Sequence, residues 1–290
     1  MLQFIANGLC SGAVYLMVAL GFGLIYYSSG IFHLAHAAII VFAGYILYWL
    51  NVSLGVNLVL AGLISLVGAG LLGLSVQEVI YRPLYKKKAG PAIFMISSLG
   101  VYIVLINVIA LLWGNETKIL RPGVEKTFVF AGIILTKIQS LQLLAAAGTF
   151  FALYLFLHFT NLGRTSRAIS ENPVLAEVMG INVSRYRMII IATGSVISSL
   201  GLILQALDVG MDPYIGFPLL LSATVACIIG GMRRFLAPAL GAIVLGLLQS
   251  VVIYYANARW ATAVTFAVLI LFLLFRPQGF LGTVKRVEEA

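Results

Sequence analysis

No lysine or arginine precedes Arg82, and charged residues make up only 9% of the 290-residue chain. Soluble domains carry about 25%, so the chain is read as an integral membrane protein with little mass outside the bilayer. The missing basic stretch at the amino terminus argues against an ordinary secretory signal peptide. Only two cysteines occur, Cys10 and Cys227, in separate apolar stretches. Neither makes a metal-type spacing, so both are expected to be small buried hydrophobes. GxxxxGK[ST], HExxH, CxxC and GxSxG are all missing, so no ATP is bound through a P-loop, and no catalytic residue, metal ligand or cofactor is expected. Asp and Glu are missing from the middle of every apolar run. Proton- and sodium-coupled carriers usually need such a group near the midplane. A carrier of this composition has to borrow its energy from a partner, or else be a passive channel.

What is present is apolar sequence, 62% of the chain at a mean hydropathy of +1.09. Thirteen of the eighteen Lys and Arg fall in four segments, 82–88, 164–187, 233–234 and 276–286. That is a positive-inside distribution rather than a nucleic-acid footprint. The apolar runs predict spans at 3–27, 31–50, 56–77, 92–113, 139–159, 188–206, 237–255 and 258–275, and a shorter, broken or tilted one at 217–232. The fold class expected is all-α and polytopic, with eight or nine crossings forming one transmembrane domain over 1–290. Keeping the short crossing puts all four basic segments on the cytoplasmic side, with the N-terminus outside and the C-terminus in the cytoplasm. Residues 114–138 then make an external loop. Its apolar run Phe128–Leu135 is too short to cross about 30 Å of hydrocarbon and is read as a hairpin or interfacial element. Gly8 and Gly12, four apart, allow close helix contact, read as packing rather than as a dimer seam.

The longest polar stretch between two strongly apolar runs is 161–187. It carries Arg164, Arg167, Arg185 and Arg187, with Glu171 and Glu177 between them. Ser170 reads as an N-cap, Pro173 as a first-turn residue and Gly180 as a C-terminal stop. Val174, Leu175, Val178 and Met179 make one apolar face at helical spacing. Such a helix suits docking to another protein at the membrane surface; the plainer reading is a solvated connector. His33 and His36 are the most unusual intramembrane groups. Their i, i+3 spacing predicts one helix face, where an unpaired ring costs on the order of 1–3 kcal/mol. With Phe32 they are expected beside a translocation path, or else in structural hydrogen bonds.

Several segments, in order, resemble the LivH/LivM-type permease of branched-chain amino acid ABC importers. Gly8-Leu9-Cys10-Ser11-Gly12-Ala13-Val14-Tyr15 with Ala19-Leu20-Gly21 is similar to the family's first helix. Gly30-Ile31-Phe32-His33-Leu34-Ala35-His36-Ala37 resembles its G-x-x-N-F-A-H-G segment, with His33 and Ala37 in place of the usual Asn and Gly. Tyr81-Arg82-Pro83-Leu84 matches its Y-R-P-L loop. Leu162-Gly163-Arg164-Thr165-Ser166-Arg167-Ala168-Ile169, then Asn172-Pro173, Ala176 and Gly180-Ile181-Asn182-Val183, match its central loop. Phe275-Arg276-Pro277-Gln278-Gly279 matches its C-terminal R-P-Q-G. Met232-Arg233-Arg234-Phe235 departs from the small residues usual after Gly230-Gly231, while Pro238, Gly241 and Gly246 keep the pattern.

The resemblance implies one multi-pass permease subunit of an ABC importer in the bacterial inner membrane, with lipid around it. Its implied partners are a homologous permease chain, two ATP-binding subunits and an extracytoplasmic solute-binding protein; no nucleic acid is involved. It implies that Asn172, Pro173, Val174, Leu175, Ala176, Glu177, Val178, Met179, Gly180 and Ile181 form the helix that couples the ATPase to the spans. Branched-chain amino acids or related small solutes are the implied cargo, moved by alternating access. A passive channel for small neutral solutes such as urea or amides is the alternative, and a secondary carrier comes third. The map of sides is checked with single cysteines at Gln3, Lys126 and Val287 and an impermeant thiol reagent on intact cells. Labelling is expected at Gln3 and Lys126 and not at Val287; the reverse at Lys126 and Val287 overturns the map.

Overall fold

In hydrocarbon an unpaired backbone N–H or C=O costs several kcal/mol, so apolar crossings of this length have to be helical. The computed structural model describes residues 1–120, 127–130, 132–231, 235–276 and 278–281. Its elements are α1 Leu2–Ser29, α2 His36–Tyr48, α3 Leu58–Val76, α4 Arg82–Lys86 and α5 Pro91–Trp113. A hairpin, β1 Thr127–Phe130 and β2 Ile133–Thr136, follows. Then come α6 Lys137–Phe159, α7 Asn161–Glu171, α8 Pro173–Val178, α9 Val183–Val209, α10 Gly216–Gly230, α11 Ala237–Tyr255 and α12 Ala261–Phe275. π-helical turns extend α2 through Trp49–Ser53 and join α3 to α4 through Gln77–Tyr81.

α1 is apolar all round and sits in the centre, packed on α6, α9, α10 and α11. A helix hydrophobic on every face belongs inside the bundle. Between helices in lipid there is little hydrophobic driving force, so association depends on close van der Waals approach at small residues. A Cβ placed on Gly8 would lie 2.8 Å from the Cβ of Ser250, and one on Gly12 would lie 3.2 Å from the Ala242 carbonyl oxygen. The Gly8/Gly12 face is thus used within the chain, against α11. On the α9 side, a Cβ on Gly194 would come within 2.7 Å of the Gly21 carbonyl oxygen. Polar bonds add to the seam: Tyr15 Oη donates to Gln249 Oε1 (2.7 Å), and Gln249 Nε2 donates to Thr265 Oγ1 (2.5 Å), tying α1, α11 and α12 together.

Contacts between distant segments sort the connections into two ends. At one end Gln3 bonds both backbone groups of Ile134 at 2.8 Å. Lys118 and Met211 exchange backbone bonds of 2.7 and 3.0 Å there, and Tyr214 Oη donates to Asn115 Oδ1 at 3.2 Å. At the other end Tyr85 Oη donates to the Ser29 carbonyl (3.1 Å), and the amides of Phe280 and Leu281 donate to the carbonyls of Ile229 and Gly230 (2.8 and 3.0 Å). Among the described residues eight helices are long and apolar enough to cross a membrane, and α10 is a shorter apolar helix. Its 15 residues rise about 22 Å at 1.5 Å each. A short crossing is tolerated here because α10 packs on α1, α2, α11 and α12, and the irregular backbone before it is sheltered, with Gly210, Met211 and Pro213 buried.

Three expectations change. The second span is not helical from residue 31; α2 starts at His36, after a turn. The basic stretch 81–88 is helical through Lys86 rather than a loop. The polar stretch 161–187 holds more than the short helix expected in its middle, which is α8: α7 precedes it and α9 begins at Val183. The run Phe128–Leu135 does form a hairpin, with Phe128 opposite Leu135. Arg121, Glu125, Lys126, Met232, Arg233, Arg234, Pro277 and the tail with Val287 lie outside the described residues.

The glycine contacts give a direct test. Gly246 faces Gly8 and Gly12 so closely that a Cβ would lie 2.7 Å from the Gly12 Cα, whereas nothing lies within 4 Å of a Cβ on Gly148. Gly246→Val is expected to destabilise by at least about 1–3 kcal/mol, the usual cost of overpacking. Gly148→Ala is expected to stabilise α6 by about 0.5–1 kcal/mol. Unfolding midpoints of the detergent-solubilised protein check both.

Candidate functional site

At the end of the bundle that carries Tyr85, α7 and α8 form a small platform. Thr160 caps α7 by accepting from the Gly163 amide (3.0 Å). Gly163 presses on the end of α6, where a Cβ would lie 2.5 Å from the Leu157 Cα. Asn172 caps α8 by accepting from the Leu175 amide (3.0 Å), and Pro173 takes the first helical position. Ser170 is therefore not the cap: it lies inside α7 and its Oγ donates to the Arg167 carbonyl (2.7 Å). The amide that a cap at this helix start would accept from, that of Leu175, is already taken by Asn172 Oδ1. At the far end the Gly180 amide donates to the Glu177 carbonyl and the Ile181 amide to the Ala176 carbonyl, both 3.0 Å. This is a Schellman stop, and Gly180 adopts the left-handed φ of 83° it requires.

The platform has a core of its own: Ile169, Ala176 and Val183, with Ile181 and Tyr186 against them. Ala176 therefore faces inward. The face outside this core stays uncovered: Val174, Leu175, Val178 and Met179 are 69%, 57%, 78% and 75% exposed. Glu177 is exposed beside them. From α8 the chain runs into α9, capped by Asn182 on the Arg185 amide (3.1 Å). One turn on, the Arg187 guanidinium stacks 3.7 Å above the Tyr85 ring, and Tyr85 Oη donates to the Ser29 carbonyl at the end of α1.

Ser29 leads into the break between α1 and α2. Gly30 ends α1 at φ 69°. Phe32 is half-buried, its ring edge-on to Phe22 with centroids 5.4 Å apart. His33 and His36 are completely buried, with ring centroids 5.4 Å apart. They adjoin because the His36 amide bonds the His33 carbonyl in a turn (3.2 Å), not because they share a helix face. His33 Nδ1 bonds the Tyr81 hydroxyl (2.6 Å) and His36 Nε2 bonds Ser198 Oγ (2.8 Å). The Ser198 hydroxyl gives its one proton to the Val18 carbonyl (3.1 Å), so it accepts from His36, which places the ring proton on Nε2. His33 Nε2 and His36 Nδ1 are left buried with no hydrogen-bond partner. The Ala35 amide is held by Ser98 Oγ of α5 (2.9 Å).

The structure thus gathers Phe32, His33 and His36 in one place and the exposed anchors of α8 in another. Arg187, Tyr85 and Ser29 stand between them. Tyr81, Tyr85 and Ser198 escaped sequence reasoning as partners. Tyr81 and Tyr85 stood out only inside a basic motif, and no local pattern marks one serine of α9 over its neighbours. If the His33–Tyr81 bond is made in a dry core, Tyr81→Phe and His33→Leu each cost about 1–3 kcal/mol by stranding the other group. The double variant is expected to lose less than the sum of the two, measured by thermal unfolding.

Residues 4–273 match the family described as the branched-chain amino acid transport system permease component. The high-affinity branched-chain amino acid permease protein LivH of Escherichia coli K12 is 28% identical over 97% of this chain and 95% of its own. The probable branched-chain amino acid permease protein LivH of Methanocaldococcus jannaschii is also 28% identical, over 92% of this chain and 88% of its own. In fold, the chain is similar to one in the PsaBC complex of Streptococcus pneumoniae, at a TM-score of 0.54 and 15% identity, covering 95% of this chain and 92% of that one. With apolar helices running from end to end and a family match over nearly its whole length, this chain is a multi-pass inner-membrane permease subunit of the branched-chain amino acid transport system family.

Proposed function

We propose that this subunit carries branched-chain amino acids across the membrane by alternating access, as one transmembrane unit driven by separate ATP-binding subunits. A homologous permease chain completes the pathway, two ATPases bind at the α7–α8 end, and a solute-binding protein delivers cargo at the hairpin end. The α7–α8 end is then cytoplasmic and the amino terminus external. The observation that carries this reading is the α8 face. Four large apolar side chains are held out on a rigidly capped turn while Ala176 anchors the same turn to its own core. An i, i+3, i+4 set of this kind fits a groove on a partner.

Coupling would then pass along the observed contacts. Movement of α8 shifts the start of α9, and the Arg187–Tyr85 stack carries the shift to Ser29 and the 30–36 connection. The route would run past Phe32, His33 and His36. Support for that comes from the helix break, from the π-helical turn that presents Tyr81, and from the two orphaned imidazole nitrogens, which gain partners where water or solute reaches them. π-turns inside helices often mark functional positions.

Burying Leu175 contributes roughly 1.5–3 kcal/mol, so Leu175→Asp is expected to weaken ATPase docking by tenfold or more. Gly180→Val forces a β-branched residue into the left-handed turn and is expected to uncouple hydrolysis from cargo. Co-purification of the ATPase and solute-stimulated hydrolysis in vesicles check both. Normal values in both variants, or full uptake without ATP as in a passive channel, overturn the reading.

A further inference from the structure

α6 stands off from α11 beside the closely packed α1, and the three helices leave a groove of about 1370 Å3 along one side of the bundle. Pockets for small molecules are usually about 300–1,000 Å3, so this space is larger than an amino acid needs. Its walls are apolar, with Leu16 on α1, Ala147 and Phe150 on α6, and Leu240 on α11. All three helices are long enough to cross the membrane, which places these walls at hydrocarbon depth. Toward the end of α6 the lining changes to Arg167 and Glu171 on α7.

Those two residues sit at i and i+4 in the order base then acid, the less favourable order for a pair along a helix. They make no ion pair with each other: among the described residues the ion pair is Arg82 with Glu78, and neither the Arg167 nor the Glu171 side chain has a hydrogen-bond partner among the described residues. Arg167 is half-buried, in line with the groove. Glu171 is exposed, so a half-buried cation and an exposed anion stand at the head-group end of an apolar groove, a set complementary to a zwitterion. An anionic head alone would set its charge against Glu171, and an apolar partner helix would leave both residues without a counter-charge. The guanidinium fork matches phosphate oxygens, and a carboxylate accepts from a primary ammonium.

We propose that this groove is a specific site for a zwitterionic phospholipid with a primary ammonium head. Its acyl chains lie along α1, α6 and α11, its phosphate sits on Arg167 and its ammonium on Glu171. The lipid fills the space that α6 leaves beside α1 and α11 and holds α7, and with it the α8 platform, at a fixed height on the bundle. The site stands whether or not α8 docks an ATPase.

The test is native mass spectrometry of the full-length chain offered equal amounts of phosphatidylethanolamine, phosphatidylcholine and phosphatidylglycerol of matched chains. Phosphatidylethanolamine is expected to be retained at least fivefold over the others. Arg167→Gln and Glu171→Gln are each expected to remove that preference, and Arg167→Lys to keep most of it, which separates charge from folding. Ala147→Trp, which fills the groove, is expected to remove retention altogether. Equal retention of the three lipids by the unaltered chain overturns the proposal. So does a preference that survives both glutamine variants, displacement of the lipid by millimolar leucine, or a crosslink from Ala147→Cys to another polypeptide in native membranes.

Discussion

Backbone-to-backbone approach around α1 is the constraint on which the rest of the structure depends. In lipid the alternative to a helix–helix contact is a helix–acyl chain contact of similar polarity, so the gain comes from fit. Gly8 against α11, and Gly21 and Gly194 across α9, let α1 lie too close to its neighbours for a side chain, and Gly12 leaves only a tight fit against α11. Once α1 is fixed, α9, α10 and α11 are fixed around it. The groove between α1, α6 and α11 lies where α6, which carries Phe150, does not close on α11.

The interior is less uniform than its composition suggests. Where α1 ends, the chain leaves helical geometry for residues 30–35 and still meets its polar needs through side chains from four other elements. Ser98, Tyr81 and Ser198 serve Ala35, His33 and His36, and Tyr85 serves Ser29. Irregular backbone within a membrane bundle survives only where protein or water satisfies it. Here protein supplies most of the bonds, and the two imidazole nitrogens left over mark the place where satisfaction is incomplete. Stacking of Arg187 on Tyr85 joins this region to the surface platform by an interaction of about 0.5–2 kcal/mol.

Much of this was legible in the residues. Charge scarcity and the placement of Lys and Arg gave the class of molecule and the positions of the crossings, because burying a charge in hydrocarbon costs more than any local preference can offset. The short span expected at 217–232, kept so that four basic segments share one side, corresponds to the helix α10, Gly216–Gly230. Gly180 announced its left-handed turn because glycine adopts that conformation without strain. The apolar face of Val174, Leu175, Val178 and Met179 could be read from spacing alone.

Other features could not be read that way. Ser170 and Asn172 are both good caps in isolation, and only the packing of α7 through Gly163, Ser166 and Ile169 decided that α7 continues to Glu171 and leaves the cap to Asn172. The histidine spacing fits a helix face and a turn equally well, and Tyr81, 48 residues away, chose the turn geometry by supplying a partner. The sequence by itself determined which segments are apolar, how many there are and where the chain must turn, because those depend on transfer to lipid and on local backbone strain. The tertiary structure alone decided which serine of α9 meets His36, which arginine stacks on Tyr85, and that Arg167 and Glu171 stand unpaired beside a groove. Such pairings are set by how distant helices cross, and helical periodicity carries no information about a partner far along the chain.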